Sequence, residues 1–163
     1  MQNASLAIIT NSDNHILLVQ RKDIPIWVLP GGGIENCENP DQAVVREAEE
    51  ETGLPVHILT HIATYTPVNS LSSTTYLFHC TPATSVLPQA QEKEAAAVQY
   101  FPLEKLPSHL FFLHKNFVKE WQTASSFPIE RSLTEITYFS LLFTFLRHPW
   151  WILRYLWTRF SRQ

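Results

Sequence analysis

The 163-residue chain carries 12 Lys+Arg against 15 Asp+Glu, a net charge of −3, and 45% hydrophobic residues. That is ample apolar material for one packed domain and excludes a disordered chain. The charge is uneven: the arginines after Glu135 (Arg147, Arg154, Arg159, Arg162) meet no acid, so the first 135 residues carry 8 cations against all 15 acids, a net −7. An acidic body argues against general nucleic-acid binding through phosphate neutralisation. Cys37 and Cys80 are too few for a disulfide framework and lack zinc-type spacing, and the seven histidines form no His-Glu-x-x-His pattern. Met1-Gln-Asn-Ala-Ser has neither the basic start nor the apolar run of a secretory signal, so a cytoplasmic protein is expected.

In chain order, the apolar runs 4–10 and 15–20 flank the turn-forming cluster Asn11-Ser-Asp-Asn14 and read as a strand pair. Trp27-Val-Leu29 reads as a short strand stopped by Pro30. Gly31, Gly32 and Gly33 follow, three of only four glycines, freeing the backbone for close approach to a ligand. Asn39 as cap, Pro40 at the first helical position, Gln42 in a capping box and Gly53 as terminator predict a helix over 40–52. Segments 56–66, 74–80 and 97–101 read as strands. Leu110, Leu113, His114, Phe117 and Trp121 recur at helical spacing, predicting a second helix from about Pro107. Interleaved strands and helices favour a layered α/β domain. Trp27, Tyr65 and Tyr76 serve either as base-stacking platforms or as core.

Glu47, Glu50 and Glu51 stand at i, i+3 and i+4, on one face of the first helix. A charge run is ordinarily a solvated face. Here it occupies the last turns before Gly53, at the negative end of the helix dipole, where each carboxylate is disfavoured by roughly 0.3–1 kcal/mol. Glu47 and Glu51 also repel one another four residues apart. Local rules broken together in one place point to a functional site, and a hard divalent cation with oxygen ligands removes the conflict.

The pattern Gly32-x5-Glu38-x7-Arg46-Glu47-Ala48-x-Glu50-Glu51-x-Gly53-Leu54 resembles the signature of the Nudix hydrolase family. Ala48 departs from it, standing where the family usually has a larger aliphatic residue; that bears on packing under the helix more than on chemistry. Leu17-Leu-Val-Gln-Arg21 and Leu29-Pro-Gly-Gly-Gly-Ile-Glu35 agree as flanks, and the resemblance covers about residues 4–121. It implies an α/β fold, a Nudix-type α/β/α sandwich with a mixed sheet. It implies metal-dependent cleavage of a phosphoanhydride (pyrophosphate) bond in a nucleoside diphosphate linked to another moiety, with Mg²⁺ or Mn²⁺ as cofactor. Carried over by position, Glu47, Glu50 and Glu51 are metal ligands, with Gly31 offering its carbonyl. Arg46 orients a catalytic carboxylate, Glu38 is an accessory carboxylate, and Glu35 and Gly53 shape the loop and the helix end. Gly32 and Gly33 face substrate, and Arg21 is either a phosphate contact or an ordinary surface cation. A later-loop glutamate six residues before an aromatic strand residue recurs in the family; Glu94, six before Tyr100, fits, with Glu92 as the alternative. The base is then Glu47 or Glu94. A non-catalytic nucleotide-sensing module is the competing class, but it is expected to lose box carboxylates and none is lost.

The domain is expected over 1–122, a linker over 123–131 and a helical extension over 132–163. Ser132-Leu-Thr-Glu135 reads as a capping box. The uncharged stretch Ile136–Leu146 is too short to span a bilayer. Beyond Pro149 a helix would set Trp150, Leu153, Trp157 and Phe160 opposite Arg154, Arg159 and Arg162, as in an interfacial membrane helix. Packing on the domain itself or on a second copy is the even alternative.

Overall fold

The computed structural model describes residues 2–91 and 95–135; Glu92, Glu94 and the expected helical extension from 136 onward lie outside the described residues. The elements are β1 (Ala4–Ile9), β2 (His15–Arg21), β3 (Trp27–Val28), β4 (Gly31–Gly33), α1 (Pro40–Thr52), β5 (Val56–Pro67), β6 (Thr75–Pro82), β7 (Ala95–Pro102), α2 (Phe112–Thr123) and β8 (Ile129–Leu133). A five-stranded mixed sheet runs β4-β1-β6-β5-β8, and a three-stranded sheet runs β3-β2-β7. β1 is parallel to β6 and β5 to β8; the other pairings are antiparallel.

Alternation along β1 and β2 divides the core into two layers. Leu6, Ile8, Ile16 and Leu18 join Leu113, Phe117 and Val118 of α2 on one side. Ala7, Ile9 and Leu17 join Val44 and Ala48 of α1 on the other. Both strands are thus buried on both faces, which accounts for their nearly unbroken apolar sequence. Ala48, the small residue under α1, is fully buried.

Three expectations are corrected. β1 and β2 are not a hairpin pair: they share one bridge, Thr10 to Ile16, and then enter different sheets. Each already has neighbours on both edges, β4 and β6 for β1, β3 and β7 for β2, so no edge remains for the other. The three glycines, expected as freed backbone after the Trp27–Leu29 strand, themselves form strand β4, with Gly33 opposite Ala4 and Gly31 opposite Leu6. The second helix begins at Phe112, later than Pro107, because the backbone around Leu110 is occupied: Trp27 donates to His109 and Phe111 donates to Trp27.

The stretch read as a linker running into a helix at Ser132 contains strand β8, paired with β5 from Ala63–Ile129 to Pro67–Leu133. The acid expected to cap Ser132 is drawn elsewhere, since Glu135 binds the guanidinium of Arg131 at 2.8 Å. Arg131 also holds Glu120 of α2 at 2.8 Å and lies 4.9 Å over the ring of Tyr65. Tyr65 is fully buried, stacked on Phe117 at 4.2 Å, and donates its hydroxyl to Glu120. Arg131 therefore fastens β8 to both β5 and α2. Arg131→Met keeps the aliphatic stem but strands two acids; the expected cost is about 2 kcal/mol of unfolding free energy. Urea denaturation measures it, and an unchanged midpoint would mean that this ion cluster adds nothing to the fold.

Candidate active site

α1 starts and stops where its capping residues stand. Asn39 N–H donates to the Gln42 side chain at 3.0 Å, and Gly53 takes the left-handed conformation with its N–H on Glu49 C=O at 2.8 Å. The last turn holds no basic residue. The nearby cation is Arg46, and each of its five N–H donors is engaged. Nε and Nη2 grip Glu38 at 2.8 and 2.9 Å, and Nη1 donates to Glu47 and to Glu50 at 2.9 Å. Nη2 also donates to Gly33 C=O at 2.9 Å, tying helix to glycine strand. The carboxylates of Glu38 and Glu47 are largely enclosed, while that of Glu50 is 61% exposed.

The glycines are needed because this protein's own groups press on them. A Cβ on Gly31, whose φ is 139°, would overlap Ser5 O and Leu6; one on Gly32 would lie 2.6 Å from the Glu47 carboxylate. Gly31 N–H donates to Glu51 Oε2 at 2.9 Å. Glu38 closes the preceding turn by accepting from Glu35 N–H at 2.9 Å, across Cys37, an exposed thiol with φ 66°. The outward side of α1, with Arg46 and Glu50, and Glu38 in the turn before it open on a groove bordered by Ile58 and Gln89–Gln91.

The box residues predicted from sequence are therefore gathered in one place. Among the described residues, however, no three His, Cys, Asp or Glu side chains converge as a ready-made metal cage. Glu47 and Glu50 are drawn to Arg46, and Glu51 to the Gly31 amide. The donor set suits a hard cation: hard oxygens in excess over positive charge. Arg21 pairs with Asp23 at 2.8 Å. Of the stacking candidates, Tyr65 is core, Tyr76 packs against the layer under α1, and Trp27 meets Phe101 edge-on at 4.9 Å. His61 packs on Phe78 at 4.9 Å and bonds to Ala63 C=O, whereas His57 is exposed. Sequence reasoning did not single out His114 as a polar partner of the glycine segment; Leu29 N–H donates to its Nδ1 at 2.9 Å.

The model of the NUDIX domain family matches residues 1–121. An ADP-ribose pyrophosphatase of Methanocaldococcus jannaschii is 32% identical over 121 residues, covering 69% of each chain. A candidate 8-oxo-dGTP diphosphatase of Bacillus subtilis (strain 168) is 43% identical over 61 residues; the match spans 37% of this chain and 41% of that relative's length. Among solved structures, an ADP-ribose pyrophosphatase from Streptococcus suis is 26% identical with a TM-score of 0.61, covering 80% of this chain and 98% of that one. A NUDIX hydrolase from Nitrosomonas europaea superimposes with a TM-score of 0.67 at 22% identity, over 81% of this chain and 79% of that one, a likeness of fold. The chain belongs to the Nudix hydrolase family. This family acts on phosphoanhydride bonds of nucleotide-type substrates and generally uses divalent metal ions.

The guanidinium of Arg46, with the Glu35 amide, lowers the Glu38 carboxyl from its ordinary 4.5 to about 2. A depressed acid favours the folded state above about pH 4.5, and that contribution disappears as pH falls through about 2. The stability difference between wild type and Glu38→Gln is expected to be constant above pH 5 and to shrink between about pH 4.5 and 2. Denaturation across pH measures it, and a difference that does not change with pH would remove the clamp.

Proposed function

We propose that this protein hydrolyses a pyrophosphate bond of a nucleoside diphosphate linked to another moiety, with Mg²⁺ or Mn²⁺ held by Glu47, Glu50 and Glu51 and the Gly31 carbonyl. The observation that carries this reading is the concentration of Glu38, Glu47 and Glu50 on the single guanidinium of Arg46, with Glu51 beside them on the glycine strand. When bound, the ion supplies neutralisation of diphosphate oxygens and acidification of a water. The chain's own groups do the remainder. Arg46 fixes Glu47 between itself and Gly32, where the carboxylate can take a proton from the attacking water. Gly32 leaves room for the Glu47 carboxylate beside the strand, substrate meets the backbone of Gly32 and Gly33, and Arg21 offers a cation toward a phosphate. Glu38 orients Arg46, and Glu35 and Gly53 fix the turn and helix end on either side. Glu94 is the alternative base, with Glu92 second to it. The described residues flanking them support this, because Gln91 N–H donates to Glu51 C=O at 3.3 Å and Ala95 N–H to Gln91 C=O at 3.2 Å. Gln91, the described residue before them, thus lies beside the end of α1.

Full-length protein is expected to release mononucleotide or phosphate from at least one of ADP-ribose, nucleotide sugars, oxidised nucleoside triphosphates, dinucleoside polyphosphates or capped RNA ends, in Mg²⁺ or Mn²⁺. Glu51→Gln is expected to lower the rate at least about a hundredfold. Chromatography of the products decides it, and equal rates for both proteins would sink the reading.

The segment from 136 onward carries a second proposal, peripheral attachment to an anionic membrane surface. Among the described residues no helix is long and apolar enough to cross a membrane. The support is the sequence, with Arg147, Arg154, Arg159 and Arg162, no acid, and Trp150, Leu153, Trp157 and Phe160 at helical spacing from one another. Because β8 is part of the sheet, the informative truncation ends at Glu135. Full-length protein is expected to float with phosphatidylserine-containing liposomes and the 1–135 form to sediment. If both float equally the membrane proposal fails, and a dimer lost on truncation would assign the segment to self-association.

A further inference from the structure

Three successive residues, running from the end of β3 into the first residue of the glycine strand, are held by three different elements. Leu29 N–H donates to His114 Nδ1 on α2 at 2.9 Å. Pro30 C=O accepts from Ala7 N–H on β1 at 2.8 Å. Gly31 N–H donates to Glu51 Oε2 on α1 at 2.9 Å. The two helices lie on opposite sides of the strands, so this short segment connects them. We propose that His114 is a positioning residue for the Glu51 carboxylate: by fixing the Leu29 amide it sets the direction of the Gly31 amide, and with it the direction Glu51 faces.

The backbone around Trp27 shows why a side chain is needed here. Trp27 exchanges backbone hydrogen bonds with His109 and Phe111, but α2 begins at Phe112 and the ladder ends. The Leu29 amide, two residues on, needs an acceptor that α2's own backbone no longer offers, and His114 supplies one. A backbone N–H can only donate, so Nδ1 carries the lone pair and Nε2 the proton. The ring is packed between Phe111 at 5.2 Å and Phe117 at 5.9 Å. Burial, with the charge of Arg21 added, pushes the imidazole down to about 3, keeping Nδ1 an acceptor at neutral pH. The inference rests on Glu51 being a working carboxylate, as argued above.

Two substitutions separate positioning from core packing. His114→Phe keeps a ring and removes the acceptor. His114→Asn places an oxygen near the position of Nδ1. The Phe variant is expected to lose amide-exchange protection at both Leu29 and Gly31. It is also expected to bind Mn²⁺ about tenfold more weakly and to lower kcat at unchanged KM. The Asn variant restores Gly31 protection and Mn²⁺ affinity. If the Phe variant melts as wild type does and keeps Gly31 protection and Mn²⁺ affinity, His114 merely fills the core and the proposal fails. Should the Phe variant not fold, His114→Gln, with its acceptor carried farther out, must lose what Asn retains; equal behaviour of Asn and Gln overturns the proposal. A wild-type protein that binds neither Mn²⁺ nor Mg²⁺ would defeat the hydrolase reading, while Gly31 protection would still decide the role of His114.

Discussion

The Arg46 guanidinium is the constraint around which the site is arranged. A planar group with five donors in fixed directions binds three carboxylates and a carbonyl at once, and a lysine ammonium has neither the number nor the geometry. The partners come from three parts of the local chain: the turn before the helix, the helix itself and the glycine strand. Because all of them meet one rigid fork, none can shift without disturbing the others. This resolves the apparent conflict of acids crowded at the negative end of α1. Arg46 lies nearly two turns back from the helix end, and its charge offsets a repulsion that no basic residue in the last turn relieves.

The glycine strand is the complementary half. It is a close-packed wall, with Glu47 against one glycine and β1 against another. Its position is fixed from both sides of the fold. β1 supplies the ladder, α1 supplies Arg46 and Glu51, and α2 reaches the segment through the imidazole of His114. α1 is thus coupled to the rest of the domain through side-chain hydrogen bonds to the backbone of the glycine segment.

The limits of α1 were legible because its caps are local: Asn39, Pro40 and Gly53 act on adjacent backbone and leave a compositional trace. The grouping of Glu47, Glu50 and Glu51 was legible for the same reason, since helical periodicity places them without tertiary information. The strand partners were not, because pairing is decided at long range. Nothing in residues 4–20 says that β1 will take β6, some 70 positions away, in preference to β2 beside it. The reading of 129–133 failed because Arg131 finds Glu120 and Tyr65 only in three dimensions, and these partners outweigh a short capping motif. His114 followed the apolar spacing of its helix, and its polar task depends on an amide 85 positions earlier.

The added strand has a bearing on solubility as well. β5 is twelve residues long, and its edge away from β6 would present a row of unpaired amides and carbonyls on which another chain could build a sheet. β8 covers only the half from Ala63 to Pro67, where the strand is regular. The other half carries both irregularities of register, between Ile58 and Thr60 and between His61 and Ala63. Bulges twist and interrupt a strand and spoil it as a template. One half of the edge is shielded by the chain's own continuation and the other is misshapen, so the exposed Leu59 projects from a segment ill suited to intermolecular pairing.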